Sequence, residues 1–347
     1  MPLKSDIFID ARKFDPANNS ERVNKFNEAI IAIFSSAVDW YEVGAAKYRK
    51  MRWAGEAGVP VPPVLPQGIN FTIPSRESGR DIPCRVMYPM SRATGEDRKK
   101  CKGSILHFHG GGWTLGDERS QDALLQFFAD AGDLAVISVG YRLAPEDPFP
   151  KAPEDCMDAA ESLVKNSQRD YGGPLEFISG ESAGAHLTLT TIFQLLKLHP
   201  DFKLSGLLLH CGCYDITHLP QFLHMLHAPV LPQKQTLRFM DAFLPNMSLE
   251  EKKYPSVSPF YEDLSKLRGR LPSALFTCGT EDPLLDDSVL MGTRWMMAGG
   301  GAIVKIYTGA PHGLLLFPEE VLEEAGMCLL DTKTYIQERL ALAAGAS

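Results

Sequence analysis

The chain reads as an α/β protein: a mostly parallel central sheet with helices on both faces and a helical cap. Three observations predict this. From residue 104 onward, short β-rich runs alternate with helical stretches, the rhythm of parallel strands joined by crossover helices. Two amphipathic stretches, 1–66 and 214–255, stand outside that rhythm. The 347 residues exceed one small domain but suit one large domain of roughly 250 residues plus an accessory piece.

Taken in order, residues 18–57 place Val23, Phe26, Ala29, Ile30 and Phe34 on one helical face, and Trp40, Val43, Ala46 and Tyr48 continue it in a second segment. Pro60, Pro62, Pro63 and Pro66 end any helix there. Two strand-like runs, Ile69–Ile73 and Arg85–Tyr88, flank a segment rich in turn formers, as a hairpin requires. The alternation then runs Ile105–Phe108, helix 118–131, Leu134–Val139, helix 153–166, Leu175–Ser179, helix 183–197 and Leu204–Leu209. It resumes with Ala274–Cys278, helix 286–298, Ala302–Tyr307 and helix 319–342. The interval 214–272 is too long for an ordinary connection and too apolar for a disordered one. The expected organisation is therefore 1–66 as the N-terminal part of a cap, 67–213 with 256–347 as the catalytic domain, and 214–255 as the cap insertion. In such sheets ligands bind in the loops at the carboxyl ends of the strands.

Charge and cysteines narrow the partners. With 35 basic against 43 acidic side chains the net charge is −8, and no basic tract interrupts it. That balance argues against nucleic acid or an anionic membrane surface as partner. No run approaches the roughly 20 apolar residues of a membrane span, and no signal peptide is visible behind Met1. The seven cysteines are scattered and odd in number, which suits free thiols in a cytoplasmic protein.

Gly180-Glu181-Ser182-Ala183-Gly184 lies directly after the strand-like Leu175–Ser179 and directly before a helical segment. In that setting a G-x-S-x-G serine sits on a tight turn with its hydroxyl exposed, and the helix start aims N–H groups at any oxyanion forming nearby. His109-Gly110-Gly111-Gly112-Trp113 follows another strand, and its glycines let backbone amides face a substrate oxygen. The phosphate-binding alternatives need a terminal Gly-Lys-Ser/Thr or G-x-G-x-x-G, and neither is present. Together the two motifs are those of lipases and esterases.

A serine nucleophile needs a base and an orienting carboxylate, here in the order Ser, acid, His. His312, in the loop after Ala302–Tyr307, is the candidate base. Asp282, after Ala274–Cys278, is the preferred acid over Glu281, Asp286 and Asp287, because Pro283 fixes its turn.

The motifs HGGGW (109–113), YRLAPE (141–146), GESAG (180–184), EDPL (281–284) and His312-Gly313 resemble the hormone-sensitive-lipase-like esterase family of the α/β-hydrolase superfamily, from about residue 69 onward. The resemblance implies Ser182 as nucleophile, Asp282 as acid and His312 as base. It also implies Gly111, Gly112 and Ala183 as oxyanion-hole amides, and a cap made from the N-terminus and an insertion. The chain departs from the family with Glu181 where Asp is common before the serine, with Ala185-His186 for Gly-Asn, and with Leu314 for Phe.

The expected function is that of a serine carboxylesterase acting on small, short-acyl-chain esters through an acyl-enzyme, with no metal or organic cofactor. The alternatives are an amidase, carbamate hydrolase or lyase on the same site, or a non-catalytic small-ligand receptor on this fold. A metal cluster of His210, Cys211, Cys213, His218, His224 and His227 lacks the spacing of a structural zinc site. Phe222, Met225, Leu226, Met240, Phe243 and Trp40 either line an acyl pocket or pack the lid, and helix 319–342 either packs on the sheet or forms a homodimer contact.

Overall fold

The computed structural model describes residues 7–92 and 95–345; the ends of the 1–66 and 256–347 spans lie outside them. Eight strands form one sheet: β1 (Ile69–Pro74), β2 (Asp81–Met87), β3 (Ser104–Phe108), β4 (Ala135–Val139), β5 (Leu175–Glu181), β6 (Gly206–His210), β7 (Ala274–Glu281) and β8 (Ala302–Pro311). Their order is β1-β2-β4-β3-β5-β6-β7-β8. β1 and β2 form the expected hairpin and join β4 antiparallel, and every later pairing is parallel.

The central strands β3, β4 and β6 are buried at every position, which is why they read as continuous apolar runs rather than alternating ones. Their faces are covered by α4 (Asp122–Gly132), α5 (Lys151–Tyr171), α6 (Ala183–Leu198), α10 (Leu285–Met297) and α11 (Glu323–Gly345), following α1 (Glu21–Ser36), α2 (Trp40–Val43) and α3 (Ala45–Ala54) at the N-terminus and α7 (Pro220–His224), α8 (Gln233–Phe243) and α9 (Leu249–Lys252) in the interval after β6. Among the described residues no helix is long and apolar enough to cross a membrane.

Three strands outrun their sequence-read ends. β5 extends to Glu181, β7 to Glu281 and β8 to Pro311, because Glu181 still pairs with His210 and Glu281 with Pro311 across the sheet. The extensions set Ser182, Asp282 and His312 each at the first position beyond a strand, side by side along one carboxyl edge. β2 begins four residues before its sequence-read start, since Asp81 to Cys84 pair with β1 although Asp81 and Pro83 break the apolar run.

The two stretches outside the alternation differ in what they touch. α1 lies beside the end of β8: Asn27 Nδ2 donates to Gly309 O at 2.9 Å, and Val23 fills the space a side chain at Gly309 would need. Trp40 of α2 instead stacks on Phe239 of α8, with centroids 5.1 Å apart and planes 11° from parallel. α3 is tied to the loop after β3 by Arg49, which donates to Thr114 O at 2.8 Å.

Candidate active site

Ser182 sits between β5 and α6 with φ 57° and ψ −120°, a left-handed conformation that a side chain adopts only under constraint. Its neighbours leave no room for anything larger. A β-carbon on Gly180 would lie 2.2 Å from the Gly184 backbone, and one on Gly184 would lie 1.9 Å from Phe108 O. The motif's glycines are thus a packing requirement of the turn where β5 passes into α6. Ala183 opens α6, whose first N–H groups have no partner inside the helix.

Ser182 Oγ lies 2.9 Å from His312 Nε2, and His312 Nδ1 lies 2.9 Å from Asp282 Oδ2. Asp282 is fully buried, and its other oxygen accepts from the Leu284 N–H at 2.8 Å. The rival carboxylates are engaged elsewhere. Asp286 accepts from the Gln221 N–H and Asp287 from those of Tyr214 and Asp215, while Glu281 is held in β7. Burial alone would push the His312 pKa down, but the Asp282 charge and hydrogen bond, with a contribution from Glu181, bring it above 6.5. Its Nδ1 proton is thereby committed to Asp282, and Nε2 faces the serine as an acceptor.

Gly111 and Gly112 follow β3 with φ of 112° and 60°, and two aromatic buttresses hold their loop. Tyr141 stacks on His109 at 4.3 Å and donates to its carbonyl at 2.7 Å; the Ala144 N–H donates to Trp113 O at 2.9 Å. The YRLAPE segment thus braces the glycine loop. On the other side Trp113 Nε1 donates to His186 Nδ1 at 3.2 Å, and His186 Nε2 bonds Val257 O at 2.7 Å. His186, one of the family departures, is buried with its pKa pushed down to about 4, so it serves as a neutral strut.

α8 closes the site from above. Phe239 lies over Gly112, where a β-carbon would meet its Cγ at 2.2 Å, and Phe243 stacks on Trp113 at 4.6 Å. The cleft beside Ser182 is lined by Gly112, Trp113, Cys213, Phe239, Met240 and Leu284, among others, and encloses about 20 Å³, little more than one water needs. Of the six residues that sequence left between pocket and lid, Met240 lines the cleft. Phe222, Met225 and Leu226 do not, while Trp40 and Phe243 stand behind Phe239 and Trp113. Cys213, Leu231 and Thr236 line it without any motif to announce them.

The His- and Cys-rich segment does not converge. His210 bonds Thr277 Oγ1 at 2.7 Å, His218 stacks on Phe222, and His224 and His227 are exposed, with His227 beyond the end of α7. Among the described residues the one set that gathers as metal ligands would is Cys211, Cys278 and Asp282, within 4.8 Å of one another. Its thiols are driven upward in pKa and its carboxylate is already bonded to His312, so the donor set suits support of the histidine rather than a cation.

The sequence profile of the alpha/beta hydrolase fold family matches residues 105–316. An AB hydrolase superfamily protein of Schizosaccharomyces pombe is 30% identical over 264 residues, covering 72% of this chain and 74% of its own. Carboxylesterase NlhH of Mycobacterium tuberculosis is 27% identical over 81% of this chain and 84% of its own. A structure described as a hormone-sensitive lipase from a metagenome library superposes with a TM-score of 0.74 at 22% identity, over 92% of this chain and 98% of that one. The family model and these similarities agree with the resemblance read from the motifs, and the chain belongs to the alpha/beta hydrolase fold family.

Proposed function

We propose that the protein is a serine carboxylesterase that hydrolyses small, short-acyl esters through an acyl-enzyme. The observation that carries this is the unbroken hydrogen-bond line from Ser182 Oγ through the His312 ring to Asp282, 2.9 Å at each step. Ser182 Oγ attacks the ester carbonyl carbon while His312 Nε2 takes its proton, and Asp282 supports the resulting imidazolium. The amides of Gly111, Gly112 and Ala183 receive the oxyanion. The proton then passes to the departing alkoxide, leaving Ser182 acylated. In the second half water attacks the acyl carbon, gives its proton to Nε2, and the acid leaves as Ser182 Oγ recovers that proton. One ester and one water become one acid and one alcohol.

The small cleft supports a short acyl group, and the similarity to a named carboxylesterase supports ester chemistry. Residues 1–66 and 214–255 form the cap in this reading, meeting over the site through Trp40 and Phe239. Seven buried, unpaired thiols suit a reducing cytoplasm. The test is a p-nitrophenyl ester series from acetate to octanoate beside the matching aryl amides and carbamates. Wild type should turn over the short esters fastest, and Ser182→Ala should lose about 10⁴-fold or more of kcat. No turnover of any acyl compound would remove the enzyme reading, and an undiminished Ser182→Ala protein would remove the nucleophile.

A further inference from the structure

Beside the triad lies a second buried carboxylate that the reaction as described does not use. Glu181 ends β5, immediately before Ser182, and is 4% exposed. Its Oε1 stands 3.7 Å from His312 Nε2. We propose that Glu181 is a positioning residue for the base, with Oε1 as a second acceptor facing Nε2–H whenever His312 carries the proton taken from Ser182 or from water.

The carboxylate is held from behind by a directed chain of hydrogen bonds. His107 Nδ1 lies 3.1 Å from Ser179 Oγ, and His107 Nε2 lies 2.6 Å from Gln121 Oε1. An amide oxygen only accepts, so Nε2 of His107 carries the hydrogen and the Gln121 amide nitrogen faces the other way. That nitrogen donates to Glu181 Oε2 at 3.0 Å. Oε2 also lies against the Gly110 backbone, where a β-carbon would meet it at 1.9 Å, so only glycine fits in front of it. With Oε2 engaged as an acceptor, Oε1 is left turned toward His312 and Gly313.

At 3.7 Å the pair is too long for a hydrogen bond in the resting state, where Nε2 is bonded to Ser182 Oγ. Once His312 is charged, a shift of under about 1 Å brings Oε1 into bonding range. The imidazolium is then held between Asp282 at Nδ1 and Glu181 at Nε2, and the ring keeps its aim while the proton moves on to the alkoxide or back to Ser182. Glu181 itself neither gives nor takes a proton.

The groups that face this pair come from every neighbouring strand end. Asp282 follows β7, the Cys211 thiol follows β6, the Tyr141 phenol follows β4, and His107 lies on β3. The hydrogen bond with Cys278, together with burial, drives the Cys211 thiol well above its ordinary value; burial drives the Tyr141 phenol well above its own and His107 down to about 4. All three are neutral between pH 5 and 8, which leaves Asp282 and Glu181 as the charges acting on His312. Burial and the nearby Asp282 charge hold the Glu181 carboxyl above its ordinary pKa, while the His312 charge, Gln121 and the Gly110 N–H favour its ionised form.

This inference rests on the esterase reading, and its test separates the two. In the full chain, Glu181→Gln keeps the shape and removes the charge, and Glu181→Asp restores the charge at a greater distance. The measurements are kcat/KM against pH with a short p-nitrophenyl ester and direct NMR titration of the His312 ring, which needs no activity. For Glu181→Gln we expect the acid limb and the His312 midpoint to move down by about one pH unit or more, kcat to fall about tenfold or more, and KM to hold. Glu181→Asp should recover much of the limb. A folded Glu181→Gln with wild-type limb and midpoint overturns the proposal, as do two variants equally slow with unshifted limbs. If Glu181→Gln does not fold, Glu181→Ala takes its place, and a folded Glu181→Ala with a wild-type midpoint overturns it. A shifted NMR midpoint in a protein without esterase activity keeps this inference and removes the other.

Discussion

If the protein hydrolyses esters as proposed, Phe239 should set how much acyl chain the cleft admits, and removing its ring has a worked consequence. The ring is 5% exposed, stacked on Trp40 and pressed over Gly112, so it forms the wall between the cleft and the N-terminal helices. Phe239→Ala deletes the ring and opens the 20 Å³ cleft toward Trp40. Each methylene buried from water is worth about 0.8 kcal/mol, so space for roughly three more carbons offers about 2.4 kcal/mol. That is about 60-fold in kcat/KM for an octanoyl ester relative to an acetyl ester. Losing a buried Phe costs about 3–5 kcal/mol of stability, and here the upper part of that range applies only if Trp40 fails to collapse into the gap. The assay is the p-nitrophenyl chain-length series on wild type, Phe239→Ala and the milder Phe239→Leu, with Tm measured alongside. The wild-type profile should fall steeply after the shortest chains, Leu should extend it modestly, and Ala should move the optimum by roughly three carbons. A folded Phe239→Ala whose chain-length profile overlays that of wild type would refute the assignment of α8 as the acyl wall.

Two further outcomes follow from named contacts. Asp282→Asn keeps the shape but removes the charge that commits the Nδ1 proton of His312, so kcat should drop by about 10⁴-fold; steady-state rates within tenfold of wild type would transfer the acid's role to another carboxylate, with Asp286→Asn as the control that should stay active. His210, fully buried, is pushed down to about 3 by burial, whereas the unfolded chain takes a proton near 6.5. The unfolded state therefore binds more protons below pH 6.5, and native stability is lost as pH falls from there toward 3, by about 2 kcal/mol at pH 5. Urea unfolding of wild type and His210→Gln at pH 8 and pH 5 should show the variant losing about that much less on acidification, and parallel losses would contradict this.

How far the site could be read before folding depends on whether a residue matters for its spacing or for what it touches. Ser182, Asp282 and His312 were legible because each follows a strand-like run, and parallel strands deliver the residues after them to one edge regardless of detail. The sequence-read strands stopped short of all three, since the last pairings, Glu181 with His210 and Glu281 with Pro311, join polar or proline-containing ends that no apolar run marks. The His- and Cys-rich segment shows the converse, that residues close in sequence need not meet. Its spacing does not fit a zinc site, and His224 and His227 are exposed while Cys211 meets Cys278 and Asp282, about 70 residues further along the chain.

The residues that tune the site share this non-local character. Glu181 acquires its place from Gln121, just before α4, and His107 on β3, and His186 becomes a strut only because Trp113 and Val257 arrive from either side. Phe239 is one of several apolar positions on an amphipathic helix until Gly112 lies beneath it. A motif encodes the chemistry that a fold repeats, whereas substrate size and the restraint of the base depend on contacts between segments far apart in the chain. The departures from the family pattern are therefore informative: Glu181 and His186 both lie in the serine turn or the helix it opens, and both face the glycine loop. A change in either alters how Ser182 and the Gly111–Gly112 loop are held relative to one another, so the serine turn and the glycine loop pack as one unit with α8 pressed on top.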